Sequence, residues 1–326
     1  MASPNSTFTE LVSTTFRKHS KDIKDNVSKN NALLRRIYKK GNVRREDGGL
    51  SIAAPLDYAE NGTYQRFSGF DVLNIGASDV LSAAEFQWRQ IAVNVVASGQ
   101  DLRTNSGDSR IINLAKARMK NAIRTFKNNF SSDIYSDGSL SNQINGLQAL
   151  VADTGLGTVG GINSTTWAFW ANKVQSAAAP IQGGGAITPS ATTIENSLML
   201  YLWLNMVRGD DKPDLIVADN NYFAFYEASQ VALKRYTGDG GHGADGGLGA
   251  LKYKGCDVIF DGGSGIPTNH MYFLNTDYIE LVVHKDADME MVDEMRPYNQ
   301  DAVVMPILWM GNMVVSNRAQ QGVLKA

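Results

Sequence analysis

Apolar side chains recur at intervals of three and four along residues 108–130, where Ile112, Ala115, Met119, Ala122, Ile123, Phe126 and Phe130 fall on one stripe. A period near 3.6 puts such positions on a single helix face, so the segment predicts a long helix lying across a sheet. Ser106 or Asp108 is placed to cap its start. Residues 7–40 carry a looser helical spacing in Phe8, Leu11, Phe16, Ile23, Val27, Leu33, Leu34 and Ile37, with Gly41 positioned to stop it. A third helix is predicted over 192–207, apolar nearly all round and ended by Pro213, and a fourth over 220–233.

Strand patterns fill the intervals. Residues 50–58 and 64–75 are β-type runs flanking Glu60-Asn61-Gly62, and Asn-Gly between such runs signals a hairpin. Two strands cannot bury both faces, so this element needs another surface to lie on, such as one in another subunit. Residues 84–97 begin by alternating, with Phe86, Trp88, Gln90 and Ala92 on one face. A short buried strand is expected at 214–219. Strands then follow in quick succession as CDVIFD, MYFLN, IELVVH, AVVMPILWM and GNMVVSN. A stretch rich in Ser, Gly, Asn and Thr over 131–190 suggests a boundary near 140, and 237–250 is a glycine-rich loop. Two α/β units sharing sheets fit this order better than an all-helical fold.

Composition narrows the classes. The chain has 326 residues, 43% hydrophobic and 20% charged, enough for about two domains with real cores and too apolar for disorder throughout. No window approaches the roughly 20 apolar residues of a membrane span, so no membrane role is expected. The single cysteine, Cys256, excludes an internal disulfide scaffold. Charge is uneven: residues 1–45 hold 11 basic and 3 acidic residues, while the rest holds 20 and 30. A cationic segment on an acidic body suits nucleic acid or an acidic partner, and equally suits a solvated amphipathic helix. Lys116, Lys120, Arg124 and Lys127 form a second basic stripe on the 108–130 helix, facing either solvent or phosphate.

Catalytic chemistry is sparse. Gly155-Gly157-Gly160 and Gly241-Gly243-Gly246 match the dinucleotide pattern G-x-G-x-x-G, the basis for an alternative reading as a dinucleotide-dependent oxidoreductase. The first is followed by GINSTTWAFW rather than a helix opening, and no acidic residue appears before Glu195. There is no P-loop. His19, His242, His270 and His284 lack ligand spacing, Asp286 and Asp288 read as a solvated edge, and Cys256 reads as a packed small hydrophobe. No catalytic, cofactor-binding or metal-ligating residue and no cofactor is expected, and the chain does not read as an enzyme.

Taken in order, AEFQWRQIAVNVVASGQDLRTNSG, INLAKARMKNAIRTFKNNFSSDIYSDGS, GLQALVADTGLGTVGGINSTTWAFW, PDLIVADNNYFAFY, GLGALKYKGCDVIFDGG, MYFLNTDYIEL and QDAVVMPILWMGNMVVSNRAQQGVL resemble the major capsid protein family of tailed bacteriophages. The likeness spans about residues 30–326 and rests on shared order rather than on one motif. It implies an α+β chain of the Hong Kong 97 type capsid fold. The implied parts are an N-terminal arm at 1–45, an extended hairpin loop at 46–83, a peripheral domain with a long spine helix at 84–140 and 291–326, and an axial domain at 141–290.

The function so implied is self-assembly into pentamers and hexamers of an icosahedral shell around double-stranded DNA, assembled in the host cytoplasm as the virion capsid. An encapsulin-like nanocompartment shell is the alternative within the fold. Tyr64, Arg66, Phe67 and Phe70 become candidate inter-subunit contacts. Arg35, Arg36, Lys39, Lys40, Lys116, Lys120, Arg124 and Lys127 become candidate scaffold- or DNA-facing residues, with phosphate contacted without sequence preference. Some shells of this kind are cross-linked through a lysine of the extended loop. Residues 41–115 contain no lysine, so a non-covalent shell is expected, with a cementing protein as an optional partner. Some members of that family carry a scaffolding segment ahead of the loop that is later cleaved. Only some 45 residues precede the hairpin here, so either that segment is already absent or, as Met1 favours, the scaffold is a separate protein beside the portal.

Overall fold

The computed structural model describes residues 31–100, 108–236, 251–261 and 265–326, and the side chains of all of these except 108–117 and 231–236. In chain order, α1 (Ala32–Lys40) leads into β1 (Val43–Glu46), β2 (Ile52–Asp57), β3 (Leu81–Phe86) and β4 (Arg89–Ser98). Next come α2 (Asp108–Asp133), α3 (Leu147–Leu150), the short strands β5 (Thr158–Val159) and β6 (Ile162–Asn163), and β7 (Lys173–Ser176). A π-type turn at Ile194–Met199 runs into α4 (Leu200–Met206), followed by β8 (Leu215–Ala218), α5 (Asn220–Tyr236), β9 (Leu251–Tyr253) and β10 (Cys256–Phe260). The chain closes with β11 (His270–Leu274), β12 (Ile279–Met291), β13 (Ala302–Val315) and β14 (Gly322–Lys325).

One sheet has the order β1-β12-β13-β4. Against it lies the predicted spine: Met119, Ala122, Phe126 and Phe130 of α2 are buried, and Ile123 packs at the margin. Phe126 stacks on Phe130 at 5.3 Å, and Phe130 meets the edge of Trp309 from β13 at 4.9 Å. Ile112 and Ala115 of the stripe, and the Ser106 cap, lie outside the described side chains.

Three strand expectations are corrected here. The two runs AVVMPILWM and GNMVVSN are one strand, β13, because Gly311 continues the ladder instead of turning. A Cβ at Gly311 would press on the Val282 carbonyl and come within 2.8 Å of the Trp309 ring, so glycine serves close approach here. The 84–97 run is two strands, β3 and β4, in different sheets. The break falls where Asn312 Nδ2 donates to Gln87 O at 2.8 Å and Trp88 Nε1 donates to Gly49 O at 3.0 Å, which fixes the chain as it changes sheets. The hairpin exists, but its second arm is β3 rather than 64–75: Ile52 pairs with Phe86 and Asp57 with Leu81. Residues 58–80 form the connection.

The second sheet has the order β7-β14-β11-β8-β10-β9 and is buried on both faces. Leu215 and Val217 of β8, Tyr272 and Leu274 of β11 and Val323 of β14 turn to the core shared with α2 and the first sheet. Ile216, Ala218, Met271, Phe273 and Leu324 turn the other way, against Leu198, Leu202 and Met206 of the α4 region and Tyr222 and Tyr226 of α5. Burial on both sides explains the near-continuous apolar runs of these strands. The predicted 192–207 helix begins as a π-type turn and stops at Met206; Tyr201 and Leu204 are exposed, so it is not apolar on all sides by burial. Cys256 is fully buried and donates its thiol to Pro213 O at 2.8 Å, as a packed residue would.

Sheet membership runs across the expected division of the chain. β12 belongs to the first sheet and β14 to the second, so the line at 290/291 separates neither sheet from the other. Residues 32–45, within the expected arm, lie on the body: Asn31, Leu33, Leu34 and Ile37 are buried and β1 pairs in parallel with β12. Asn31 caps α1 by accepting from Leu34 N at 3.0 Å, and Gly41, at φ 80°, ends it. Residues 1–30 and the 237–250 loop lie outside the described residues.

The Phe126–Phe130–Trp309 contact is the seam between spine and sheet. Phe130→Ala is expected to destabilise the chain by about 3–5 kcal/mol, the range for emptying a buried aromatic site, read from denaturant unfolding of the unassembled protein.

Candidate assembly surface

The β2–β3 ribbon leaves the body at a root that is closely packed on one side. Ile52, Ala54 and Leu56 alternate inward along β2, facing Ala84 and Phe86 of β3. The ribbon sits on the turn between β5 and β6: Glu85 N donates to Gly160 O at 2.9 Å. Gly160 has φ 59°, and a Cβ there would lie 2.8 Å from Ala84 Cβ and 3.0 Å from Phe86 Cζ. At the outer end of the root, Tyr58 stacks on Phe169 at 6.0 Å and meets the edge of Trp167 at 5.7 Å.

Beyond Tyr58 the chain is held by side chains rather than by a ladder. Gln65 Nε2 donates to Val72 O and its Oε1 accepts from Asn74 N, both at 3.0 Å. Ser68 N donates to Asp71 Oδ2 at 2.8 Å, and Asn74 Nδ2 donates to Gly62 O at 3.3 Å. The loop therefore has a defined shape while its apolar groups point outward. Tyr64 is 82% exposed, Phe67 65% and Phe70 fully, and Val72, Leu73 and Ile75 join them. Arg66 stands among these, exposed and without an ion pair among the described residues. Exposed apolar groups gathered in one loop of a folded chain make it the candidate contact surface.

The predicted basic residues divide into two groups. Arg36 and Lys40 are engaged in ion pairs within the chain. Arg36 bridges Asp214 at 3.2 Å and Asp257 at 3.3 Å, while Lys40 bridges Asp214 at 3.0 Å and Asp277 at 2.7 Å. A helix spacing of four puts both cations on one face of α1, over the ends of β8 and β10. Arg35 and Lys39 project from another face, exposed and unpaired among the described residues. On α2, Lys120 and Arg124 are exposed, Lys127 is half-buried and the side chain of Lys116 lies outside the described residues.

Sequence reasoning missed the polar ties between units, because their partners are far apart in the chain. Tyr135, just past α2, donates its hydroxyl to Asp261 Oδ2 at the end of β10; burial, reinforced by that carboxylate, pushes the Tyr135 pKa far up. Arg318 is fully buried and donates to Leu150 O at 2.8 Å, Trp170 O at 3.3 Å and Ser164 Oγ at 3.4 Å. Burial lowers its pKa to about 10. His270 directs Nε2 at Asp153 Oδ2 (3.0 Å) and Nδ1 at Thr268 O (2.8 Å). Burial alone would lower its pKa, but these two acceptors outweigh it and the net shift is upward.

The glycine fingerprint at Gly155-Gly157-Gly160 opens no helix; β6 follows it, and Gly160 serves the ribbon root. Gly241-Gly243-Gly246 lies outside the described residues. Among the described residues no group of three or more His, Cys, Asp or Glu side chains could hold a metal ion. Nor, among them, is any helix long and apolar enough to cross a membrane.

No protein-family model and no curated protein matches the sequence. Solved structures do match. The Cyanophage A-1(L) capsid asymmetric unit aligns with a TM-score of 0.58 at 15% identity, covering 87% of this chain and 90% of that one. The virus-like particle from Pyrococcus furiosus aligns at 0.52 and 12%, covering 95% and 98%. The capsid of Myoviridae Phage XM1 aligns at 0.51 and 10%, covering 89% and 91%. At these identities the likeness establishes the fold, and that fold is the one of tailed-phage capsid proteins.

The Asp214 hub supplies a pH test. Burial raises its carboxyl pKa, but donation from the Thr276 backbone N–H and hydroxyl, together with Lys40, outweighs burial and holds the pKa below the usual carboxylate value. A depressed carboxyl pKa contributes stability that is present above the unfolded value of about 3.9 and is lost as pH falls through the folded value. Asp214→Asn is expected to cost about 1–3 kcal/mol at neutral pH. Its unfolding curve should converge on that of the parent chain in strong acid.

Proposed function

We propose that the chain is the subunit of a closed icosahedral shell, built from pentamers and hexamers, that encloses double-stranded DNA. The observation that carries this reading is the ribbon and its loop: an ordered element, rooted on one side, whose large apolar side chains find no cover among the described residues. The capsid-type fold supports it, since a repeated subunit offers each loop a neighbour to lie on. Tyr64, Phe67 and Phe70 are the anchors of that contact, and Arg66 adds a charged bond to the adjoining copy.

Arg35, Lys39, Lys116, Lys120, Arg124 and Lys127 are the basic groups assigned to meet an acidic scaffold or packaged DNA. Phosphate contact through them is non-specific and weakens with salt. A separate scaffold and a portal complete the assembly, with or without a cementing protein. Arg36 and Lys40 hold α1 in place and act on assembly only through the fold.

Electron microscopy of the chain expressed with its genomic neighbours is the primary test: closed particles containing DNA are expected, whereas protein cargo in place of DNA would indicate a nanocompartment. Phe67→Ser combined with Phe70→Ser should leave the unfolding midpoint of the unassembled chain nearly unchanged, since exposed substitutions act within about 0.5 kcal/mol, yet should abolish closed particles. Normal particles from this variant would remove the loop from the interface. Because the loop carries no lysine, mature particles should run as monomer on denaturing electrophoresis, without ladders.

A further inference from the structure

The turn that opens the 58–80 loop contains an Asn-Gly step in an unusual hydrogen-bond setting. Asn61 Oδ1 accepts three donors: Thr63 N at 3.0 Å, Thr63 Oγ1 at 2.8 Å and Ser78 Oγ at 3.3 Å. The backbone donor at Thr63 fixes which carboxamide atom is oxygen. Ser78 Oγ in turn accepts from Gly62 N at 3.2 Å. One hydroxyl thus touches both the amide nitrogen that follows Asn61 and the side-chain oxygen of Asn61. Both residues of the step are exposed, and glycine adds no side chain to hinder approach.

We propose that Asn61 is a self-modifying position, converted to aspartate and isoaspartate through a cyclic imide, with Ser78 Oγ relaying the proton. In the first step the Gly62 nitrogen bonds to Asn61 Cγ. Its proton passes to Ser78 Oγ as the Ser78 proton passes to Asn61 Oδ1. The two Thr63 donors stabilise the charge that builds on that oxygen until the Ser78 proton neutralises it, as an oxyanion hole does. The tetrahedral carbon then expels Nδ2, which takes the hydroxyl proton and leaves as ammonia, and the five-membered imide remains. Water adds to either imide carbonyl and opens the ring to aspartate or isoaspartate. The sum is one water consumed and one ammonia released, with no oxidation or reduction. The product carries a new negative charge beside Glu60 and, when it is isoaspartate, a backbone longer by one atom at the start of the loop.

The chain supplies its own control in Asn145-Gly146. Gly146 is buried, and a Cβ there would lie within 2.6 Å of the Ser136 carbonyl oxygen. The Asn145 side chain accepts no hydrogen bond among the described residues, so its carbonyl lacks both donors and relay.

The test is peptide mapping by mass spectrometry of the purified full-length chain during incubation at neutral to mildly alkaline pH. The amide-to-acid mass gain, with both product isomers, is expected at Asn61 and not at Asn145. Ser78→Ala should slow conversion on the order of a hundredfold, the low side of what a positioned proton-transfer group contributes. Ser78→Thr, which keeps a hydroxyl, should restore most of the rate. The proposal is overturned if Asn61 converts no faster than Asn145, or if Ser78→Ala converts as fast as the parent chain.

Discussion

A two-stranded ribbon has two faces and no core, so whatever it does depends on how its root is held. Here the root is a steric lock: the backbone at Gly160 comes so close to Ala84 and Phe86 that no side chain fits between them. The Glu85–Gly160 hydrogen bond and the Tyr58–Phe169–Trp167 cluster complete the hold. Trp88 and Gln87 then pass the chain directly into β4, which is fully paired with β13. Force applied to the loop is therefore carried into the sheet that supports the spine helix. An element that would be marginal alone becomes a rigid lever.

The body that receives this force is joined by a few polar ties placed at the ends of elements. Asp214 draws in Arg36 and Lys40, and Tyr135 reaches Asp261. Each connects a helix or its extension to the end of an interior strand of the six-stranded sheet, β8 or β10. Apolar packing alone would allow the spine and sheet to slide, because dispersion contacts have little direction. Charged and hydroxyl partners at defined distances set the angle between the units.

Much of this was legible in the sequence where periodicity is local. The α2 stripe at Met119, Ala122, Phe126 and Phe130 faces the core as its spacing predicts, and Gly41 stops α1. Of the short apolar runs after residue 253, CDVIFD and MYFLN enter the sheet buried on both faces, while IELVVH and the two runs of β13 enter the four-stranded sheet. Strand partners were less legible, because alternation identifies a strand but not its neighbour: 64–75 has β-type composition, yet β3 takes the pairing since Ala84 and Phe86 fit the Gly160 turn. The fate of Arg36 and Lys40 depended on Asp214, Asp257 and Asp277, some 180 to 240 residues away, which no window of sequence can join. The exposure of Tyr64, Phe67 and Phe70 followed from the ribbon argument, since two strands could not cover them.

One feature of the sheet order bears on how the chain is made. β14 lies between β7 and β11, yet it follows β7 by roughly 150 residues. At a ribosomal rate of about 5–20 residues per second, β7 therefore waits on the order of ten to thirty seconds for the strand beside it. During that interval a nascent chain has an unfilled slot in its larger sheet and an uncovered apolar loop on its ribbon. The larger sheet is thus completed long after its first strand is made, because the strand that fills the slot beside β7 is distant in the chain.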